Sequence, residues 1–478
     1  MLSVTQQKNL KNLRGDLMEI YLAIPVLPLL ASIASFTENK RLTTVFSFGS
    51  AFLTLILSFA TLFVNPAANE FLLIDGFSKI MLLTISSIYT TTLLFSLTYL
   101  RHVKKPLLSM CHYMLFENLF ASSMLFSVSI NNLGLLWVGI EATTITSALL
   151  VAIDNDEASL ESAWRYIIIV SVGLIMSLTG IILIYAGAGT LQITKLTAMV
   201  TPKNPKLLII GAALSTAGFL TKAGIFPMHT WLPDVHGRSV APVSAIFSGV
   251  LLPTALFGTF RVLQVAHNHR LLLFTTFLGF LSVIFAAIFL MAQRFYKRMF
   301  AYSSIENMGM ILIGLSLFTP TSILGGVILL ISHAFAKSSA FYSTGNILSV
   351  YKSRNINEIR DLNTRMPYTA YNLLFSSLAV TGAPPFATFL GEFLIIISFY
   401  RHMGLVATAI LILFLALAFL SINFRILKMS FDGGGAQHQK QKAEVMSSFV
   451  PILNTLISFL IVFASGTIEK ILLSGMIR

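Results

Sequence analysis

The chain has 478 residues, 56% of them hydrophobic and only 11% charged, where soluble domains carry about 25% charged residues. That balance excludes a soluble enzyme with a single anchor. The formal charge of +13 does not point to nucleic acid, because the basic residues lie in short loops, where they set membrane topology. Cys111 is the only cysteine, which excludes an internal disulfide, a cysteine-ligated iron–sulfur cluster and a four-cysteine metal site. No cofactor is expected on this chain, and redox chemistry linked to it belongs to a partner.

A membrane-spanning helix needs about 20 apolar residues. Runs of that length fall near 18–36, 43–64, 78–98, 107–128, 131–152, 160–187, 206–230, 240–264, 272–293, 298–318, 322–347, 370–398, 404–429 and 447–473. They predict an all-α polytopic membrane protein of about 14 transmembrane helices, with no room for a sizeable extramembrane domain. Before the first run, Met1–Gly15 is polar and shows no signal-peptide pattern. With Arg165, Lys222 and Lys337 set aside, 17 Lys/Arg lie on the side that follows odd-numbered spans and 12 on the side of both termini, which places both termini outside.

Charges inside the runs carry the functional reading. An ionisable group at membrane depth costs roughly 2.5–3.5 kcal/mol on the insertion scale, so each is a functional candidate. In the fourth run His112 and Glu117 stand five apart and do not share a face. Glu117 is a candidate that could equally meet lipid headgroups, a partner or Glu141. Glu141 is the only charge of the fifth run and is central to it, a carboxylate suited to loading and releasing a proton. Arg165 lies a few residues inside the sixth run, either setting the field along an ion path or snorkelling from a helix end. In the seventh run Lys222 precedes Ala223-Gly224-Ile225-Phe226-Pro227, and it is the natural partner of Glu141. Glu306 in the tenth run is either a further site or a partner of Lys297 or Arg298. His333 and Lys337 share a face of the eleventh run, four residues apart, as a two-step relay would. In the twelfth, Thr381-Gly382-Ala383-Pro384-Pro385 precedes Glu392, a candidate exit gate.

Three of these charges pair with three others at similar offsets: 306 − 141 = 165, 337 − 165 = 172 and 392 − 222 = 170. The match predicts a duplicated unit of five spans. An odd number of spans inverts the second copy, the usual build of transporters. Proline and glycine break the seventh and twelfth helices beside the charges. The predicted organisation is 1–106 for helices one to three, 107–270 for the first repeat, 271–430 for the second, inverted repeat, and 431–478 for a loop and the last helix. The glycine- and glutamine-rich Phe431–Val445 reads as a flexible connection or partner contact.

Thr221–Ser248, TKAGIFPMHTWLPDVHGRSVAPVSAIFS, resembles the signature of the antiporter-like subunits shared by respiratory complex I, multisubunit cation/proton antiporters and membrane-bound hydrogenases. WVGIE at 137–141 and HAFAKSSAF at 333–341 are similar to its fifth and eleventh helices. YKRMFAYSSIENMG at 296–309 and LGEF at 390–393 resemble one branch, hydrogenase-4 component F and related subunits of group 4 nickel–iron hydrogenases. The resemblance implies 14 core helices and a polar line at mid-depth. It puts the family's glutamate on Glu141, the lysine of the broken seventh helix on Lys222, the eleventh-helix lysine on Lys337, the twelfth-helix charge on Glu392 and a sixth-helix base on Arg165. Many relatives also carry a base in the eighth helix, but Ala245–Gly258 has neither lysine nor histidine, and Pro253 falls where that lysine often lies.

The expectation is a proton- or sodium-translocating subunit of a redox-driven complex, of the membrane-bound hydrogenase or formate hydrogenlyase type. Its partners would be other membrane-arm subunits, a soluble redox or zinc subunit, and lipids. It would sit in the inner membrane of a prokaryotic cell. The alternatives are a subunit of a multisubunit cation/proton antiporter, the membrane subunit of an inorganic-carbon uptake complex with a carbonic-anhydrase-like partner, and a non-pumping scaffold.

Overall fold

The computed structural model describes residues 20–103, 106–432 and 444–475. Met1–Gly15 and positions 433–443 of the predicted 431–445 loop lie outside the described residues. Among those described, ten helices are long and apolar enough to cross a membrane. Several remaining helices, such as Met110–Ser129 with its His112, Glu117 and Asn118, are more polar.

In chain order, α1 (Ile20–Thr37), α2 (Lys40–Ala60) and α3 (Gly76–Tyr99) precede the repeats. A small antiparallel hairpin, Ala67–Ala68 with Leu73–Ile74, sits between α2 and α3, a detail the all-helical reading passes over. The first repeat comprises α4 (Met110–Ser129), α5 (Leu133–Val151), α6 (Glu157–Ala188), α7 (Pro205–Lys222) and α8 (Ala241–Ala266), with a short helix Trp231–Arg238 between the last two. The second comprises α9 (His269–Met291), α10 (Tyr296–Ser316), α11 (Pro320–Tyr351), α12 and α13. The helix α12 is split into Pro367–Val380 and 387–403, and α13 occupies 405–431. They join in one continuous helical run that bends at Gly404, where φ is +79°. The last helix, α14, is Glu444–Gly475.

The copies match in detail. Both α6 and α11 have 32 residues and open with a capping box, Asp156 with Ser159 and Thr319 with Ser322, which satisfies the free N–H groups of the first turn. Both α7 and α12 begin on proline at the first turn, where the missing N–H costs nothing. Both breaks put glycine at positive φ, Gly224 at +72° and Gly382 at +68°, and both place a cis proline three residues on, at Pro227 and Pro385.

These landmarks correct the register. Helix starts are offset by 320 − 157 = 163, and the break glycines by 382 − 224 = 158. Glu141 and Glu306, offset by 165, are close to true counterparts. Arg165 and Lys337 are not: at 163 the counterpart of Arg165 is Ile328, and that of Lys337 is Leu174. At the breaks, Glu392 corresponds to Asp234 and Lys222 to Val380. Two of the three matched pairs in the sequence therefore reflect similar spacing, not equivalent positions.

Packing sets the depth of each helix. The central helices α8 and α11 are almost wholly enclosed, whereas the apolar stretch of α12 and α13 is only 22% buried and presents its side chains outward. Within α8, Phe247–Leu251 widens into a π-helical turn. Pro253 lacks the N–H that Gly249 would receive, and its ring crowds that carbonyl, so the local ladder shifts. Along α6 and α7 the contact is made by small residues. A Cβ on Gly180 would run into the Gly211 carbonyl and Ser215, and one on Gly218 into the Gly173 carbonyl. Such close backbone approach is how membrane helices gain packing energy without a hydrophobic driving force.

Candidate functional site

That small-residue seam delivers Lys222 into the bundle at the C-terminal end of α7. Lys222 is fully buried, and its Nζ donates to Thr144 Oγ1 at 2.8 Å and to Tyr166 OH at 2.7 Å. Tyr166 OH also meets Ser147 Oγ at 2.8 Å. Thr144 and Ser147 lie on α5, one and two turns beyond Glu141. The helix ends here because Gly224 takes a left-handed conformation, and Trp231 Nε1 donates to the freed Thr221 carbonyl at 3.0 Å.

Glu141 is half-buried on the neighbouring face of α5. Its charged neighbour is Lys222 and its hydroxyl neighbour is Ser171 of α6, but it makes no ion pair within 4 Å, and its Oε2 has no hydrogen-bond partner. The expected Glu141–Lys222 pair is therefore open in this structure, with the ammonium held by hydroxyls instead.

Arg165 does not belong to this group. It is 56% exposed, bonded to Glu161 at 2.5 Å and to Asp234 at 3.5 Å, and Asp234 also meets Arg298 at 3.1 Å. The helix starts at Glu157, so Arg165 remains near its end and joins a surface cluster. The buried residue of that turn is Tyr166, which the sequence reading missed. A tyrosine beside an interfacial arginine looks like ordinary membrane-edge chemistry, and only the α5–α6–α7 contact turns it inward.

Between the two halves stand two histidines. His236, on the short helix after the break, is fully buried, stacks on Phe341 at 4.8 Å and meets Phe247 edge-on at 6.4 Å. Phe247 in turn lies 5.8 Å from the Tyr166 ring. His333 of α11 is fully buried, with His236, Lys337 and the Ser248 backbone as its polar neighbours. Among the described residues, no ring nitrogen of His236 or His333 has a hydrogen-bond partner. Ser248 bonds to Ser304 of α10 at 2.7 Å. The sequence reading passed over His236, which follows the WLPD segment. Its sequence signal, two residues beyond Asp234, is no stronger than that of a surface histidine.

In the second half, Lys337 is fully buried and donates to the Phe300 carbonyl at 2.8 Å. Glu306 is 3% exposed, faces Lys337, and has an unpartnered Oε2. Its expected alternative, a pair with Lys297 or Arg298, does not form: Lys297 donates to the Ser239 carbonyl, and Arg298 goes to Asp234. Glu392 follows the α12 break, half-buried, with Glu306 as its charged neighbour. A Cβ on Gly382 would strike the Glu392 carboxylate, so that glycine makes its place.

Glu117 is fully buried and both its oxygens are unpartnered, which removes the lipid-headgroup reading. Its neighbours are Tyr89, Tyr113 and Tyr342, and Glu141 is not among them. His112 turns outward to Ser109, so the two diverge as their spacing requires. Among the described residues, no three His, Cys, Asp or Glu side chains converge on a common metal position.

A helical membrane protein in which two inverted repeats each bring a broken helix and buried, unpaired ionisable groups to the bundle interior is of the antiporter-like class. The family described as NADH:quinone oxidoreductase/Mrp antiporter, TM, matches residues 129–421, and the chain belongs to it. It is 32% identical over 456 residues to the hydrogenase-4 component F homolog of Methylacidiphilum infernorum, covering 92% of this chain and 93% of that one. To hydrogenase-4 component B of Escherichia coli it is 30% identical, over 71% of this chain and 52% of the relative. Its fold is shared with a chain of the archaeal membrane-bound sulfane sulfur reductase, with a TM-score of 0.87, 23% identity and coverage of 95% and 96% of the two chains. A chain of respiratory complex I from Thermus thermophilus gives 0.76 at 21% identity, with 94% and 98% covered. The chain is thus an antiporter-like, multi-pass membrane subunit of a complex I-like assembly, built to stand among other membrane subunits.

Proposed function

We propose that this subunit moves protons through its interior, driven by a partner of the same assembly. The observation that carries this reading is the bonding of Lys222. Its two partners are hydroxyls, each able to accept from an ammonium or donate to a neutral amine, so the site accommodates both protonation states without rearrangement. A carboxylate locked onto the amine would instead favour the charged form alone. Closure of Glu141 onto Lys222 would favour the charged amine, and opening would release its proton toward Tyr166.

His236 and His333 supply the bridge that the base-free α8 does not. Each ring has a donor and an acceptor nitrogen, and both stand between Lys222 and Lys337. Phe247 separates Tyr166 from His236, so transfer there requires water or a ring movement. Beyond Lys337 the line continues to Glu306 and Glu392.

By its likeness to hydrogenase-4 components, the soluble partner in this reading is a redox module of the hydrogenase type, and the compartment is the prokaryotic cell membrane. A carbonic-anhydrase-like zinc partner is the competing assignment, and sodium the competing ion. The test is ion flux in inverted membrane vesicles containing the whole assembly. Lys222→Met and Glu141→Gln should assemble normally and abolish proton uptake. Normal flux in either variant would overturn the proposal, and flux that follows sodium instead would reassign the ion.

A further inference from the structure

A cleft of about 640 Å³ opens between the end of α9 with the loop that follows it, Ile356 and Asn357 after α11, and the last turns of α13. Arg294, Arg425 and Lys428 line it, and among the described residues none of the three has a carboxylate within 4 Å. Arg425 is fixed in place: it donates to the Ser421 carbonyl at 2.8 Å and to the Met291 carbonyl at 2.5 Å, which leaves guanidinium donors facing the cleft. Gln293, Asn357 and Ser421 also line the cleft, and its α13 side is apolar and outward-facing, with Leu420 62% and Phe424 70% exposed. All three cations lie at the end where odd-numbered spans finish, Arg294 in the loop after α9 and Arg425 and Lys428 in the last turns of α13, on the more basic face of the molecule.

Three uncompensated cations want an anion. An apolar wall that continues along a lipid-facing helix wants hydrocarbon. We propose that this cleft binds the phosphate headgroup of an anionic phospholipid, with its acyl chains laid along Leu420 and Phe424 of α13. Basic pockets between membrane helices on the positively charged face bind such headgroups. Orthophosphate would engage the cations but not the wall, and an acidic segment of a partner protein would leave the acyl-chain face uncovered.

The test uses the full chain in its native assembly, purified in detergent, delipidated and reconstituted. Thermal stability is measured with phosphatidylglycerol, phosphatidylcholine and soluble glycerophosphate. Phosphatidylglycerol should stabilise at concentrations where the other two do not, and each removed charge should weaken its binding about fivefold. Lys428→Gln and Arg294→Gln are the primary variants, because neither residue donates a described bond to the backbone. Arg425→Lys keeps the charge and should bind nearly as the parent does. Equal stabilisation by phosphatidylcholine, full competition by glycerophosphate, or unchanged binding in both Gln variants would overturn the proposal. So would crosslinking of Lys428 to an acidic partner segment in native membranes.

Discussion

At the scale of single residues, the interior is organised by hydroxyls as much as by charges. Tyr166 holds Lys222 from one side and Ser147 from the other, and its ring lies 5.0 Å from the Lys222 amine. A hydrogen bond to a charged group contributes about 1.5–3 kcal/mol. Tyr166→Phe should leave the fold intact, because the ring and its contacts with Trp231 and Phe247 remain. It should slow proton flux by roughly tenfold to a hundredfold if that bond holds the amine in place for transfer. Flux in vesicles checks this, and an unchanged rate would remove Tyr166 from the path. Glu141, Lys222 and Lys337 were legible in the sequence because a charge inside an apolar run stands out. Tyr166 and His236 were not, since polar aromatics are common at membrane edges and only tertiary contacts show that these two are enclosed. For Arg165 the sequence left two readings open, and its exposed place near the start of α6 fits the helix-end one, because depth counted along the chain does not say where the helix begins.

At the scale of helices, the breaks and close contacts carry the design. Gly382→Ala meets two obstacles, a left-handed backbone and the Glu392 carboxylate. Gly404 is also at positive φ, but nothing lies within 4 Å of a Cβ there. Backbone strain of this kind costs about 1–3 kcal/mol, so both alanine variants should lose some thermal stability. Only Gly382→Ala should also cut flux, to the level of Glu392→Gln. Comparison of melting temperature with flux for the pair separates strain from displacement of the carboxylate. On α6, Gly180→Leu would force its side chain against the Gly211 backbone and prise α7 outward. Overpacking costs typically about 1–3 kcal/mol, and here it should also loosen the hydroxyl cage of Lys222, read as lowered thermal stability together with lowered flux.

At the scale of the molecule, α3 and α14 bind the two repeats together. Arg261 at the end of α8 pairs with Asp75, the N-cap of α3, at 2.6 Å, with both side chains nearly buried, and donates to Ser78 at 3.0 Å. Gly76 lets α14 pass close by, where a Cβ would meet the Ile471 carbonyl. From α11, Tyr342 reaches Thr92 of α3 at 2.8 Å, and Ser339 reaches Thr455 of α14 at 2.7 Å. Breaking a buried ion pair by removing one partner costs about 3–5 kcal/mol. Arg261→Met should therefore reduce the yield of assembled protein and its melting temperature sharply. The double variant Arg261→Met with Asp75→Asn should recover part of the loss, measured by thermal unfolding in detergent.

The sequence by itself determined the membrane class, the five-helix duplication, the two broken helices and the interior charges Glu117, Glu141, Lys222, Glu306, Lys337 and Glu392. Each of these is written in local composition: apolar length, proline and glycine placement, and a charge where none is affordable. Which charges face one another was decided only by the tertiary structure. That depends on helix rotation and close approach, set by glycine seams between α6 and α7 and by the two breaks, and small offsets along the chain hide it. Offsets of 165 to 172 therefore looked like one repeat, although the helices register at 158 to 163. The bridge between the halves was likewise absent from α8 and present in space, because folding brings His236 and His333 from other helices to the place that α8 leaves apolar.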